Sequence, residues 1–121
     1  MKETGADVKS KTTDGWTSLS LMAVEGHLEV VKFLVQEAGA DVESKITNGW
    51  TPLSLTAAKG HLEVVKFLVK EAGADVESKD KDGKTALDLA RQGIREGQSW
   101  EDQGRRAVAA WLEKEKQGGG A

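Results

Sequence analysis

The chain has 121 residues, a net charge of −3, 38% apolar residues and no cysteine. That is long enough for one domain with a continuous core, and it excludes disulfides, thiolate metal sites and cysteine nucleophiles. A weakly acidic balance gives no electrostatic drive toward nucleic acid, whose binding rests on neutralised phosphates, or toward an anionic membrane surface.

The N-terminal stretch MKETGADVKS lacks the apolar core of a signal peptide. No apolar run nears the roughly 18–20 residues of a membrane span. The expected location is therefore intracellular and cytoplasmic. Residues 5–38 and 39–72 then match at 26 of 34 aligned positions, and a third copy opens at Gly73 as GADVESKDKDGKTALDLA before departing. A fixed period of this length predicts a stacked repeat protein. Such stacks present extended surfaces and rarely carry out chemistry themselves. The expected divisions are a partial hairpin segment at 1–13, repeats at 14–46, 47–80 and 81–116, and a disordered tail at 117–121.

Within the second copy, Thr51-Pro52 is a helix start: threonine caps free N–H groups, and proline in the first turn loses no hydrogen bond. A short helix over 52–59 follows, stopped by Gly60. A longer helix is predicted over 61–72, with Leu62, Val65, Leu68, Val69 and Ala72 at three- and four-residue spacing. Val64 and Phe67 widen its apolar surface, as a helix wedged between repeats requires. Gly73 stops it. In the loop beyond, Val76 is expected to point inward and Glu77 and Lys79 toward water. Asp82-Gly83 marks a tight turn, as Asp14-Gly15 and Asn48-Gly49 do.

These segments resemble the ankyrin repeat. The family's Thr-Pro-Leu-His aligns with Thr17-Ser18-Leu19-Ser20, Thr51-Pro52-Leu53-Ser54 and Thr85-Ala86-Leu87-Asp88. Its Gly-His pair aligns with Gly26-His27 and Gly60-His61, and its helix-ending segment with Gly39–Val42 and Gly73–Val76. The resemblance covers about residues 5–93. It implies an all-α solenoid of about three repeats, each a helix-turn-helix plus a hairpin-like loop. The wording is also similar to near-identical arrays in large receptor-like proteins of filamentous fungi and to consensus-designed scaffolds. Two departures stand out. Ser20, Ser54 and Asp88 replace the family histidine, so its hydrogen bonds must be remade or lost. The period is also one residue longer than usual, near Gln36-Glu37 and Lys70-Glu71.

The ends of the stack differ. Arg91–Gln98 replaces the usual turn of the third copy. Ser99 then reads as an N-cap with Asp102 three positions on. The helix Trp100–Lys116 that follows reads as a cap, with Trp100, Ala107, Val108, Trp111 and Leu112 inward and Arg105, Arg106 and Glu113–Lys116 outward. Trp111→Ala is expected to cost about 3–5 kcal/mol, the range for large aromatics in cores. The N-terminus shows no comparable cap, which would leave residues such as Leu21 and Val30 uncovered: either the chain is cut from a longer array, or the first repeat frays, or copies associate.

Trp16 and Trp50 hold the same position in successive repeats, next to the tight turn. The resemblance implies a place on the concave side, where partners bind, and stacked elements would set the rings about 10 Å apart. Lys84 ends the row, so an apolar partner segment beside an acidic group suits it. Further contact positions implied by the resemblance are Thr13, Asp14, Thr47, Asn48, Lys81 and Asp82 on the loops, with Val24, Glu25, Ala58 and Lys59 on the first helices. The binding set is Trp16, Trp50, Lys84, Asp14, Asn48, Asp82, Glu25 and Lys59. His27 and His61 are read as structural rather than as metal ligands, and no catalytic grouping, phosphate loop or cofactor is expected. The leading function is non-catalytic recognition of a protein. The alternatives are a consensus-like scaffold without a natural partner and a self-assembly element.

Overall fold

The structure, a computed structural model, describes residues 11–93 and 100–118. The expected all-α solenoid is what it shows. Among the described residues six helices follow in order: α1 (Ser18–Val24), α2 (Leu28–Gln36), α3 (Pro52–Lys59), α4 (Leu62–Lys70), α5 (Ala86–Gly93) and α6 (Trp100–Gly118). No strand is present among the described residues. The first helices α1, α3 and α5 pack side by side, and α2 and α4 pair with α1 and α3. Here α6 takes the place of a third second helix and covers α3, α4 and α5.

Each first helix starts on its threonine. The hydroxyl of Thr17 accepts from the Ser20 amide at 3.1 Å, and that of Thr51 from the Ser54 amide at 3.2 Å. The serines standing where the family has histidine turn back on these caps, with hydroxyl pairs at 3.0 and 3.1 Å. In the third repeat Asp88 completes a reciprocal box: its carboxylate accepts from the Thr85 amide while Thr85 accepts from the Asp88 amide. The histidine's bonds are thus replaced by local caps.

The helix predicted over 61–72 is shorter at both ends, running Leu62–Lys70 with His61 before it. The Glu71 amide returns to the Phe67 carbonyl four residues back and the Ala72 amide to the same carbonyl five back, so the helix leaves through a wider last turn at the place where the period has its extra residue. Beyond it Val76 packs partly buried on the core, while Glu77 and Lys79 are exposed. A single core runs the length of the stack, from Leu19, Val31 and Leu34 through Leu53, Val65 and Leu68 to Leu87, Val108 and Leu112.

The capping helix departs from expectation in detail. Val108, Ala109 and Leu112 are buried, but Ala107 and Trp111 are only partly so. Arg105, expected among the outward residues, is partly buried and donates from Nε to the Ala58 carbonyl at 2.7 Å. The reason lies at Gly104, which brings the α6 backbone so close to Gly60 that the next side chain reaches the end of α3. Ion pairs Lys70–Glu115 and Arg91–Glu113 join α6 to α4 and α5. The helix continues to Gly118, two residues past its expected end. The Ser99 cap, the Asp102 and Trp100 side chains, segment 1–10 and residues 119–121 lie outside what is described.

Candidate functional site

The three loops have one construction. In the first, the Thr12 amide donates to the Trp16 carbonyl and the Gly15 amide to the Thr12 carbonyl, both at 2.9 Å. Ile46, Gly49 and Trp50 repeat the pattern at 3.0 and 2.8 Å, and Asp80, Gly83 and Lys84 at 2.9 and 3.0 Å. Glycines 15, 49 and 83 sit at φ of +87°, +89° and +77°, the left-handed conformation that closes such a turn.

Three different side chains hold the residue that ends each turn. Thr12 Oγ1 accepts from the Trp16 amide at 3.1 Å and Asp80 Oδ1 from the Lys84 amide at 3.0 Å. The aligned residue in the second repeat is Ile46, which has no acceptor. Asn48 Oδ1 takes the Trp50 amide instead, at 3.1 Å.

The loops are also bonded to one another. The Asp14 carbonyl accepts from both the amide and the hydroxyl of Thr47, at 2.9 and 2.8 Å, and the Asn48 carbonyl from the Lys81 amide at 3.1 Å. Stacking this tight needs glycine. A β-carbon on Gly15 would lie 3.0 Å from the Ile46 α-carbon, and one on Gly49 would lie 3.0 Å from the Lys81 nitrogen. Gly83, at the last loop, has nothing within 4 Å.

This ladder joins Asp14, Trp16, Asn48, Trp50, Asp82 and Lys84 into one row of loops. Trp16, Trp50 and Lys84 are half-buried, and Asp14, Asn48 and Asp82 are exposed. Glu25 and Lys59 are also exposed but lie at the far ends of α1 and α3, roughly 10 Å of helix away. Glu25 is engaged with His27 at 3.3 Å.

The histidines divide by position. His61 Nε2 donates to the Val24 carbonyl at 3.0 Å. A β-carbon on Gly26 would fall 2.7 Å from its ring, so that glycine is the seat for the next repeat's histidine. One repeat later, Arg105 and the Gly104 backbone occupy the corresponding place at Ala58 and Gly60. The Gly-His spelling already marked His61; Arg105 carried no such signal, because α6 is not a copy of the other helices. No cluster of three or more His, Asp or Glu side chains suited to a metal occurs among the described residues.

The ankyrin repeat family model matches residues 14–46, and the three-copy ankyrin repeats model matches 38–97. The chain belongs to the ankyrin repeat family. No curated protein matches it in sequence. Ankyrin repeats generally mediate protein–protein interaction and are typically not enzymes. No helix among the described residues of this ankyrin stack is long and apolar enough to cross a membrane.

The first repeat presents an open face that the second does not. Leu21, Val30 and Phe33 are 43%, 42% and 58% exposed. Leu21 and Val30 are residues expected to lie uncovered; Phe33, the most exposed of the three, belongs with them.

Proposed function

We propose that the chain is a non-catalytic recognition module that binds a protein partner through the concave face of its ankyrin stack, with Trp16 and Trp50 as the principal contacts. The observation that carries this reading is the bonded row of loops, which holds two half-exposed tryptophans in preformed turns. A site already ordered before docking loses little conformational entropy on binding, and tryptophan is among the residues that most often dominate interfaces. Lys84 at the end of the row suits a partner segment that sets an acidic group beside apolar residues. Asp14, Asn48 and Asp82 would set the polar rim, and Glu25 and Lys59 a second line of contacts.

The test is selection from a displayed peptide library against the parent and the Trp16→Ala/Trp50→Ala double variant. Peptides pairing apolar with acidic residues should bind the parent and lose about 2 kcal/mol or more on the variant. Equal binding to a variant of unchanged melting temperature would sink the concave site.

A second reading rests on the exposed Leu21, Val30 and Phe33. Two copies would meet at these N-terminal faces, since α6 covers the other end. Sedimentation should then depend on concentration, and Phe33→Glu should abolish that dependence. A concentration-independent monomer would refute it.

A further inference from the structure

Asn48 is the chain's sole asparagine, and Gly49 follows it. The side chain is exposed on the second loop, between Thr47 and Trp50 in the bonded row. The aligned positions in the other two repeats carry Asp14 and Asp82.

We propose that Asn48 is a site of spontaneous covalent modification, deamidating through a cyclic imide to a mixture of aspartate and isoaspartate. The Gly49 nitrogen attacks the side-chain carbonyl carbon of Asn48 and gives up its proton to a solvent base. The carbon–nitrogen bond of the side-chain amide breaks, and the nitrogen leaves as ammonia. Water then opens the five-membered imide at either carbonyl. No oxidant or reductant is consumed.

Three features of the loop bear on the reaction. Gly49 has no β-carbon to obstruct ring closure. The Trp50 amide donates to Asn48 Oδ1 at 3.1 Å, which polarises the carbonyl under attack and stabilises the oxygen as it gains charge. The Gly49 amide donates to the Ile46 carbonyl at 2.8 Å, which holds back its proton and slows the reaction relative to an unfolded chain. The polarising bond exists because Ile46 cannot accept from Trp50 as Thr12 and Asp80 do in their own turns.

The products differ in consequence. Aspartate restores the residue found at the same place in the first and third repeats and puts a negative charge beside Trp50. Isoaspartate reroutes the main chain through the side chain. The carbonyl that accepts from the Lys81 amide at 3.1 Å then becomes part of a free carboxylate, so the link to the third loop no longer runs through the main chain.

The experiment follows the tryptic peptide 46–59 by mass spectrometry. Folded protein is incubated at neutral and mildly alkaline pH beside a sample unfolded in guanidinium chloride, and isoaspartate is identified by fragmentation. Both products should appear in the folded protein, more slowly than in the unfolded sample and faster at the alkaline pH. Asn48→Gln should show neither. Conversion confined to the unfolded sample would overturn the proposal. The readout is a mass, so it stands or falls apart from any partner's binding.

Discussion

The first two repeats share most of their sequence and differ in what surrounds it. Leu21, Val30 and Phe33 are largely exposed; the same residues one period later, Leu55, Val64 and Phe67, are 4%, 2% and 5% exposed. His27 pairs with a neighbouring glutamate at a side chain 53% open to solvent, whereas His61 reaches into the previous repeat. In a stack each unit contacts only its neighbours, so a residue's energetic weight depends on whether a neighbour stands on that side. The paired positions therefore allow one substitution to be made twice in different surroundings.

The largest contrast should come from phenylalanine. Phe67→Ala removes a buried aromatic and should lower stability by about 3–5 kcal/mol. Phe33→Ala, already exposed, should stay within roughly 0.5 kcal/mol. Chemical denaturation of the two variants measures both. Similar losses would mean that the open face of the first repeat is covered in solution.

Glycine at the cap gives the next contrast. Alanine is ordinarily the better helix former by about 1 kcal/mol, yet a β-carbon on Gly104 would fall 2.5 Å from the Gly60 carbonyl oxygen. Gly104→Ala should therefore destabilise, by about 1–3 kcal/mol, as overpacked sites do. A raised melting temperature would show that α6 does not sit against α3 so closely. Trp111, only partly buried, should fall below the 3–5 kcal/mol expected of a core tryptophan, at about 2 kcal/mol on truncation.

The histidine pair should give the smallest effect. His61→Ala deletes one inter-repeat hydrogen bond, worth about 0.5–1.5 kcal/mol, while His27→Ala should leave the midpoint nearly unmoved. Equal shifts would assign both to a local helix-start role.

The helix start at Thr51, the stop at Gly60 and the turn at Asn48-Gly49 were legible because each rests on chemistry within a few residues. The apolar spacing of Leu62, Val65 and Leu68 likewise reports a helix face directly. Less legible was the replacement of the family histidine, since a serine that caps locally reads the same as one that bonds across repeats. The alignment of Trp16, Trp50 and Lys84 followed from the period and their candidate contact role from the family resemblance, but the bonds that tie their loops together involve backbone groups, which every residue carries.

By itself the sequence determined the repeat, its period, the order and approximate extent of the repeat helices and which side chains fall into register, because a caps-and-glycines grammar repeated along the chain acts over short range. Only the tertiary structure decided that Phe33 is open while Phe67 is closed, that Arg105 takes the place a histidine would hold, and that Asn48 must supply the acceptor Ile46 lacks. Each depends on which surface lies across a gap between distant segments, and identical residues carry no mark of what faces them.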